Sequence, residues 1–140
     1  MISLSENWVR LLTAMIASDG IIHTIEMESL EQLLEQYTQF PSVILTDILK
    51  EMPLQEDDLD KLISKLSLEM SPKDALVRMS LLYNLALVEG PLLEQENVVL
   101  NKTIVAFLHP DALPMTLNWL QQQRIADIQM QAILEQYVTN

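Results

Sequence analysis

Apolar residues recur along most of the chain at the three- and four-residue spacing of helices that bury one side. Residues 5–18 show this spacing first, and Ser5 is in place to cap the helix N-terminus. The apolar positions of this segment are Trp8, Leu11, Leu12, Met15 and Ile16. The sequence shows no strict alternation of apolar and polar residues, which would mark a half-buried strand, so the pattern predicts an all-α fold.

Proline and glycine divide the rest of the chain into further helices. The predicted segments are residues 24–37, 41–51, 55–70, 72–88, 94–108 and 111–138, the last of these as one or two helices. The breaks between them fall at Gly20, Phe40-Pro41, Met52-Pro53, Gly90-Pro91 and His109-Pro110. These boundaries predict a single domain, residues 1–140, built as one bundle of six to eight helices.

One of these helices has an unusual composition. Ser71 is a candidate cap and Pro72 is at the first helical position, where proline is favoured. Residues 79–88 of the same helix carry no charge at all. Because a helix that is apolar on all sides is normally buried, we expect this helix at the centre of the bundle.

The charge of the chain limits its partners. Its 140 residues hold 8 Lys and Arg against 20 Asp and Glu, for a net charge of −12. This charge repels polyanions, so we expect no binding to nucleic acid or anionic membranes, whereas cations and basic proteins remain candidates. A protein partner or a homo-oligomer also stays open. Four residues of the last segment pack either on the bundle or on a second copy: Ile128, Ala132, Ile133 and Tyr137.

The number of cysteines and the length of the apolar runs indicate in which cellular compartment the protein is expected. The chain contains no cysteine, which excludes disulfides, thiolate metal sites and cysteine nucleophiles. No apolar run approaches the roughly 20 residues of a membrane span. The first apolar stretch lacks the basic flank of a signal peptide and carries Glu6 and Arg10 at helical spacing. We therefore expect a cytoplasmic protein without membrane insertion.

The chain also contains an internal repeat. Residues 11–34 align with residues 81–104, with identities at Leu11/Leu81, Leu12/Leu82, Gly20/Gly90, Glu26/Glu96 and Leu30/Leu100. The two glycines of the protein occupy equivalent positions, and each follows an acid and precedes a glutamate by six residues. This pattern predicts two helical hairpins related by pseudo-twofold symmetry, with repeat units of about residues 8–37 and 78–108.

The acids of the two repeat units have two interpretations. In the structural one, Gly20 and Gly90 each close a helix in the left-handed conformation, while Glu26 and Glu96 reach back to backbone N–H groups as in a capping box. In the functional one, the two hairpin tips meet, and the repulsion between four carboxylates is relieved either by raised pKa values or by a divalent cation. Oxygen ligands favour Ca²⁺ or Mg²⁺. The candidate metal ligands are Asp19, Glu26, Glu89 and Glu96.

The same motifs resemble a known family. The stretches ASDGIIHTIEMESLEQLL (17–34) and LVEGPLLEQENVVLNKTI (87–104) are similar to the tellurite-resistance TerB-like family, a helical domain type also found at the N-terminus of DnaJ-like co-chaperones. The resemblance spans about residues 8–108. It implies an all-α bundle, an acidic site for metal chelation, and links to tellurite resistance and stress response. By position, that site consists of Asp19, Glu26, Glu89 and Glu96. The second unit departs from the family pattern, with Glu-Gly-Pro where Asp-Gly-x is expected.

Signatures of catalysis are missing from the sequence. It contains no P-loop, no G-x-G-x-x-G, no G-x-S-x-G, no H-E-x-x-H and no EF-hand spacing, so we predict no catalytic and no cofactor-binding residues. His23 lies beside the first acidic turn and could be a ligand or a base, although a lone turn histidine is more often polar surface. The sequence therefore predicts a non-enzymatic TerB-like module with an acidic face that binds a divalent cation or a partner. A purely structural scaffold is the alternative, and a metal-dependent hydrolase is a minor one.

Overall fold

The computed structural model describes residues 3–38 and 42–138, and within these ranges the chain is entirely helical apart from its connections. The helices in chain order are α1 (Glu6–Ile16), α2 (Thr24–Tyr37), α3 (Ser42–Lys50), α4 (Glu56–Glu69), α5 (Pro72–Ala86), α6 (Glu94–Phe107) and α7 (Leu113–Tyr137). A single 3-10 turn, Pro110–Ala112, precedes α7. The predicted all-α bundle is confirmed, while the predicted Phe40-Pro41 break lies outside the described residues.

Helix boundaries follow the capping residues of the sequence. Ser5 accepts a hydrogen bond from the backbone N–H of Trp8, at 3.3 Å, and so caps α1. Ser71 does the same for α5 through the backbone N–H of Asp74, also at 3.3 Å, with Pro72 at the first helical position. In both cases a serine oxygen satisfies a backbone donor that the first helical turn leaves free.

The centre of the bundle is α1, and the expectation that α5 would occupy it is wrong. Every residue of α1 from Trp8 to Ile16 is buried except Arg10, and this helix packs against α2, α3, α4, α5 and α6. The uncharged stretch of α5 still has a polar side, where Ser80 and Asn84 are only half-buried. A lack of charge therefore did not mean burial on all sides, because uncharged polar residues suffice for an outward face.

Aromatic packing joins the centre of the bundle to α6. The rings of Trp8 and Phe107 stack with their centroids 6.0 Å apart and their planes 17° from parallel. Trp8 is fully buried and Phe107 is 7% exposed, so this contact lies inside the apolar core. Stacked aromatic pairs of this kind add about 0.5 to 1.5 kcal/mol beyond the area that they bury.

The last helix, α7, is one continuous element of 25 residues, which decides between the one or two helices predicted for this segment. Only its first half packs on the bundle, against α5 and α6, where Thr116 and Leu120 are buried. Among the described residues, none of the helices combines the length and the apolarity that crossing a bilayer requires.

The central position of α1 makes its side chains the most sensitive to truncation. Leu12 is fully buried, so we expect Leu12→Ala to lower the free energy of unfolding by about 2 to 5 kcal/mol through lost burial and a residual cavity. Leu68, on α4, is 88% exposed, and Leu68→Ala is expected to change it by no more than about 0.5 kcal/mol. Urea denaturation followed by circular dichroism measures both. Equal losses for the two variants would contradict this account of the core.

Candidate functional site

The candidate site is formed by the connections that follow α1 and α5. Each connection contains a glycine with a positive φ, +86° at Gly20 and +152° at Gly90, and no other described residue has a positive φ. The backbone N–H of each glycine donates to the carbonyl three residues before it, at 2.9 Å for Gly20 and 3.3 Å for Gly90. Only glycine adopts this conformation without strain, so each glycine turns the chain into the next helix.

Two buried glutamates stand at the starts of α2 and α6. Glu26 is 5% exposed and Glu96 is 4% exposed. Glu26 Oε1 accepts a hydrogen bond from the backbone N–H of His23 at 3.0 Å, and Glu96 Oε1 accepts one from that of Leu93 at 2.9 Å. Each glutamate thus supplies the reaching-back half of a capping box, as the structural interpretation predicted.

The two connections meet at one cavity of about 260 Å³. Its acidic lining residues are Asp19, Glu26, Glu89 and Glu96. His23 lines it as well, and its Nδ1 lies 3.5 Å from Oε1 of Glu89. His23, Glu26 and Glu89 each offer one potential ligand atom, and these atoms lie within 4.8 Å of one another. Residues that are distant in sequence, from the segments that follow α1 and α5, therefore form one cluster.

Asp19 has a local structural role besides its place on the cavity wall. One of its carboxylate oxygens, Oδ1, accepts a hydrogen bond from the backbone N–H of Ile21 at 3.0 Å. This bond bridges Gly20 and stabilises the turn, as aspartate side chains commonly do. The side chain of Asp19 is exposed, unlike those of Glu26 and Glu96.

Burial and like charge raise the pKa of both buried glutamates. Burial is the largest cause of the raised pKa of Glu26, and the negative charges of Glu89 and Asp19 add to it, while the His23 backbone hydrogen bond and the His23 charge act in the opposite direction. Burial is also the largest cause of the raised pKa of Glu96. The negative charges of Glu26, Asp19 and Glu89 raise this pKa further. The carboxylates are close enough to oppose one another's ionisation.

His23 is the residue that sequence reasoning undervalued. It is the N-cap residue of α2 and half-exposed, but its contact with Glu89 places it in the cluster rather than on unrelated surface. The available signal was its position three residues before Glu26. A nitrogen ligand beside carboxylates suits Zn²⁺ and Mn²⁺ as well as the Ca²⁺ or Mg²⁺ expected from oxygen ligands alone.

The raised pKa values predict how stability depends on pH. Both lie above the ordinary value of 4.5, so the ionised form is disfavoured in the folded protein. This penalty is present at neutral pH and is lost as the pH falls through the raised folded-state pKa towards 4.5. Glu26→Gln with Glu96→Gln keeps an oxygen acceptor for each backbone N–H, so we expect a higher Tm than wild type at pH 7 and a shrinking difference at lower pH.

The matched control is Glu28→Gln with Glu31→Gln, which removes two exposed charges from the same protein. It separates burial from a general reduction of negative charge. Differential scanning fluorimetry from pH 7 to pH 5 measures both variants. An equal gain in Tm for the control, or a lower Tm for the buried pair at pH 7, would contradict the assignment.

Comparison of the chain with models of protein families, with curated proteins and with solved structures finds no match. The TerB-like resemblance therefore rests on the two glycine-centred motifs alone, and the feature of the structure that bears on function is the cavity with its lining residues.

Proposed function

We propose that this chain is a non-enzymatic, cytoplasmic TerB-like helical module that binds a divalent cation in the cavity between its two glycine turns. One observation carries the proposal: potential ligand atoms from both turns, on His23, Glu26 and Glu89, lie within 4.8 Å of one another. The resemblance to the TerB-like family adds an association with tellurite resistance or another stress response.

The electrostatics of the cavity supports a cation as its ligand. Glu26 and Glu96 are almost fully buried, and Asp19 and Glu89 line the same cavity. Removing an ionised carboxylate from water is costly unless a counter-charge compensates it. His23 compensates only when protonated, and it lies against Glu89 at 3.5 Å. A divalent cation would supply two positive charges to all the carboxylates at once.

The cation would also connect the two halves of the bundle. His23 and Glu26 belong to the connection and helix that follow α1, whereas Glu89 belongs to the connection that follows α5. A ligand held by both sets binds only the folded arrangement, so its binding energy adds to the free energy of unfolding. Such a site acts as a structural clamp, or as a cation-dependent surface for a partner protein.

A second candidate function is a scaffold bundle without a metal. The observation in its favour is that Oε1 of Glu26 and Oε1 of Glu96 already accept backbone hydrogen bonds at 3.0 and 2.9 Å. In that case the two glutamates serve as helix caps, and the His23–Glu89 pair joins the turns. The function would then reside in protein contacts.

Thermal melts with added cations distinguish these two functions. After treatment with EDTA, the protein is melted with Ca²⁺, Mg²⁺, Mn²⁺ or Zn²⁺ in excess. A ligand at about 100 times its Kd stabilises by about 2.7 kcal/mol, so we expect at least one cation to raise Tm by roughly 5 to 10 °C. Glu26→Gln with Glu89→Gln should abolish the rise, while the control Glu28→Gln with Glu31→Gln should keep it. No rise with any cation, or an equal rise in all three proteins, favours the scaffold.

Removing the imidazole tests which class of cation fits the site. Nitrogen ligands contribute more to Zn²⁺ binding than to Mg²⁺ binding. His23→Ala is therefore expected to lower the affinity for Zn²⁺ by about tenfold or more and to change that for Mg²⁺ much less, as measured by isothermal titration calorimetry. Equal losses for the two cations, or no loss for either, would contradict the assignment of His23 as a nitrogen ligand.

A further inference from the structure

The outer half of α7, defined here as residues 125–138, extends away from the bundle. Two side chains of α7 contact Asn84 of α5, which accepts a hydrogen bond from Arg124 Nη1 and donates one to Asp127 Oδ2, each at 3.4 Å. Every residue from 125 to 138 is exposed. Residues 128–138 therefore project about 16 Å beyond the last of these contacts, at 1.5 Å per residue.

This projecting end is rich in large apolar side chains. Seven of them are 40% to 72% exposed: Ile125, Ile128, Met130, Ile133, Leu134, Tyr137 and Val138. An isolated helix of this length is marginal in water, because most helical stability comes from packing an apolar face. Large apolar side chains that are exposed next to one another are typical of interaction surfaces. A partner that covers these apolar side chains would therefore stabilise this part of the helix.

The spacing of one apolar row identifies the kind of partner. Ala126, Met130, Ile133 and Tyr137 follow one another at intervals of four, three and four residues, which is the repeat of a helix that pairs with another helix. Beside this row run Gln122, Gln129 and Gln136, seven residues apart. Glutamine amides both donate and accept hydrogen bonds, so two identical rows can face each other without like-charge repulsion.

The distribution of charge favours a second copy of this chain over a basic partner. Residues 121–138 contain one basic and two acidic residues, although the chain as a whole has a net charge of −12. A basic partner would gain little from this nearly neutral helix and would be attracted to the acidic faces elsewhere. Two copies of the chain, by contrast, repel each other least where each presents its least charged helix.

We propose that the outer half of α7 pairs in antiparallel orientation with α7 of a second copy, through the row Ala126, Met130, Ile133 and Tyr137. The pairing is two-fold symmetric, so the same surface of each copy is used. Ala126 lies opposite Tyr137 of the partner subunit, and Met130 lies opposite Ile133 of the partner subunit, which matches a small side chain with a large one.

A parallel pair fits less well for two reasons. It would place Tyr137 against Tyr137 of the partner subunit and Ala126 against Ala126 of the partner subunit. The two tyrosines would then be crowded, and the two alanines would leave a gap between the helices. It would also bring the two acidic bundles side by side. The antiparallel pair holds the bundles at opposite ends of the paired helices, where their repulsion is smaller.

Sedimentation velocity of the full chain tests the pairing. A single helix pair is a small interface, so concentrations from about 1 to about 100 µM should show monomers passing into dimers. Ile133→Glu places a charge in the row and is expected to raise the dissociation constant by about tenfold or more. Leu68→Glu is the matched control, because it puts the same charge at an exposed leucine of α4 and should leave the dimer unchanged.

Glutamate is a good helix former, so neither variant is expected to unfold the helix that carries it, and circular dichroism checks this. A wild-type protein that stays monomeric at every concentration overturns the proposal, because another partner must then cover α7. A dimer that Ile133→Glu does not weaken also overturns it, because its interface lies elsewhere.

Cross-linking tests the orientation, and the absence of native cysteine makes introduced thiols specific. Chains with Ala126→Cys are mixed with chains with Tyr137→Cys and treated with a short thiol cross-linker. In the antiparallel pair the two positions are opposite, whereas two copies of the same position are about 16 Å apart along the helices. We expect cross-linked dimers only in the mixture. Cross-linking of either variant with itself indicates a parallel pair and overturns the proposed orientation.

Discussion

The burial of α1 is the constraint on which the rest of the structure depends. Five other helices pack around it, including α5 at its side. Both α1 and α5 run into a connection that contains a positive-φ glycine, and these two connections meet at the same cavity. Helices that lie side by side and end at the same level bring their following turns together. The apolar residues of α1 thus determine where the acids of both turns come to lie.

Two opposing influences act on the buried glutamates of the site: backbone hydrogen bonds favour their ionised forms, and burial together with neighbouring carboxylates disfavours them. The backbone N–H groups of His23 and Leu93 each stabilise one ionised glutamate, and each bond acts against the rise in pKa. Burial and the neighbouring acids outweigh these bonds, so the pKa of both glutamates is raised and their ionised forms are disfavoured in the folded chain. Natural proteins often retain such an unfavourable arrangement where it serves a ligand.

The features that could be predicted from the sequence are those determined by interactions between residues close together in the chain. Helix starts such as Ser5 and Ser71-Pro72, and the glycine turns, follow from side chains within a few residues, so they could be predicted without any tertiary information. The burial of α1 instead of α5 could not, because it depends on how five helices surround one. The part played by His23 was also inaccessible, since its contact with Glu89 joins residues 66 positions apart. The choice left open for Ile128, Ala132, Ile133 and Tyr137, between the bundle and a second copy, was inaccessible as well, because the exposure of these residues depends on where α7 leaves the bundle.

The proposed cation site and the proposed pairing of α7 are connected through α5. Asn84 contacts α7, and Ala86, two residues later, lines the cavity. Both features also concern the repulsion between two acidic copies, because a bound divalent cation would reduce the net charge of −12 on each copy by two units. Weaker repulsion between copies favours dimerisation, and by linkage dimerisation then favours the copy that holds a cation. Together the two proposals predict that self-association of this acidic chain strengthens when a divalent cation binds.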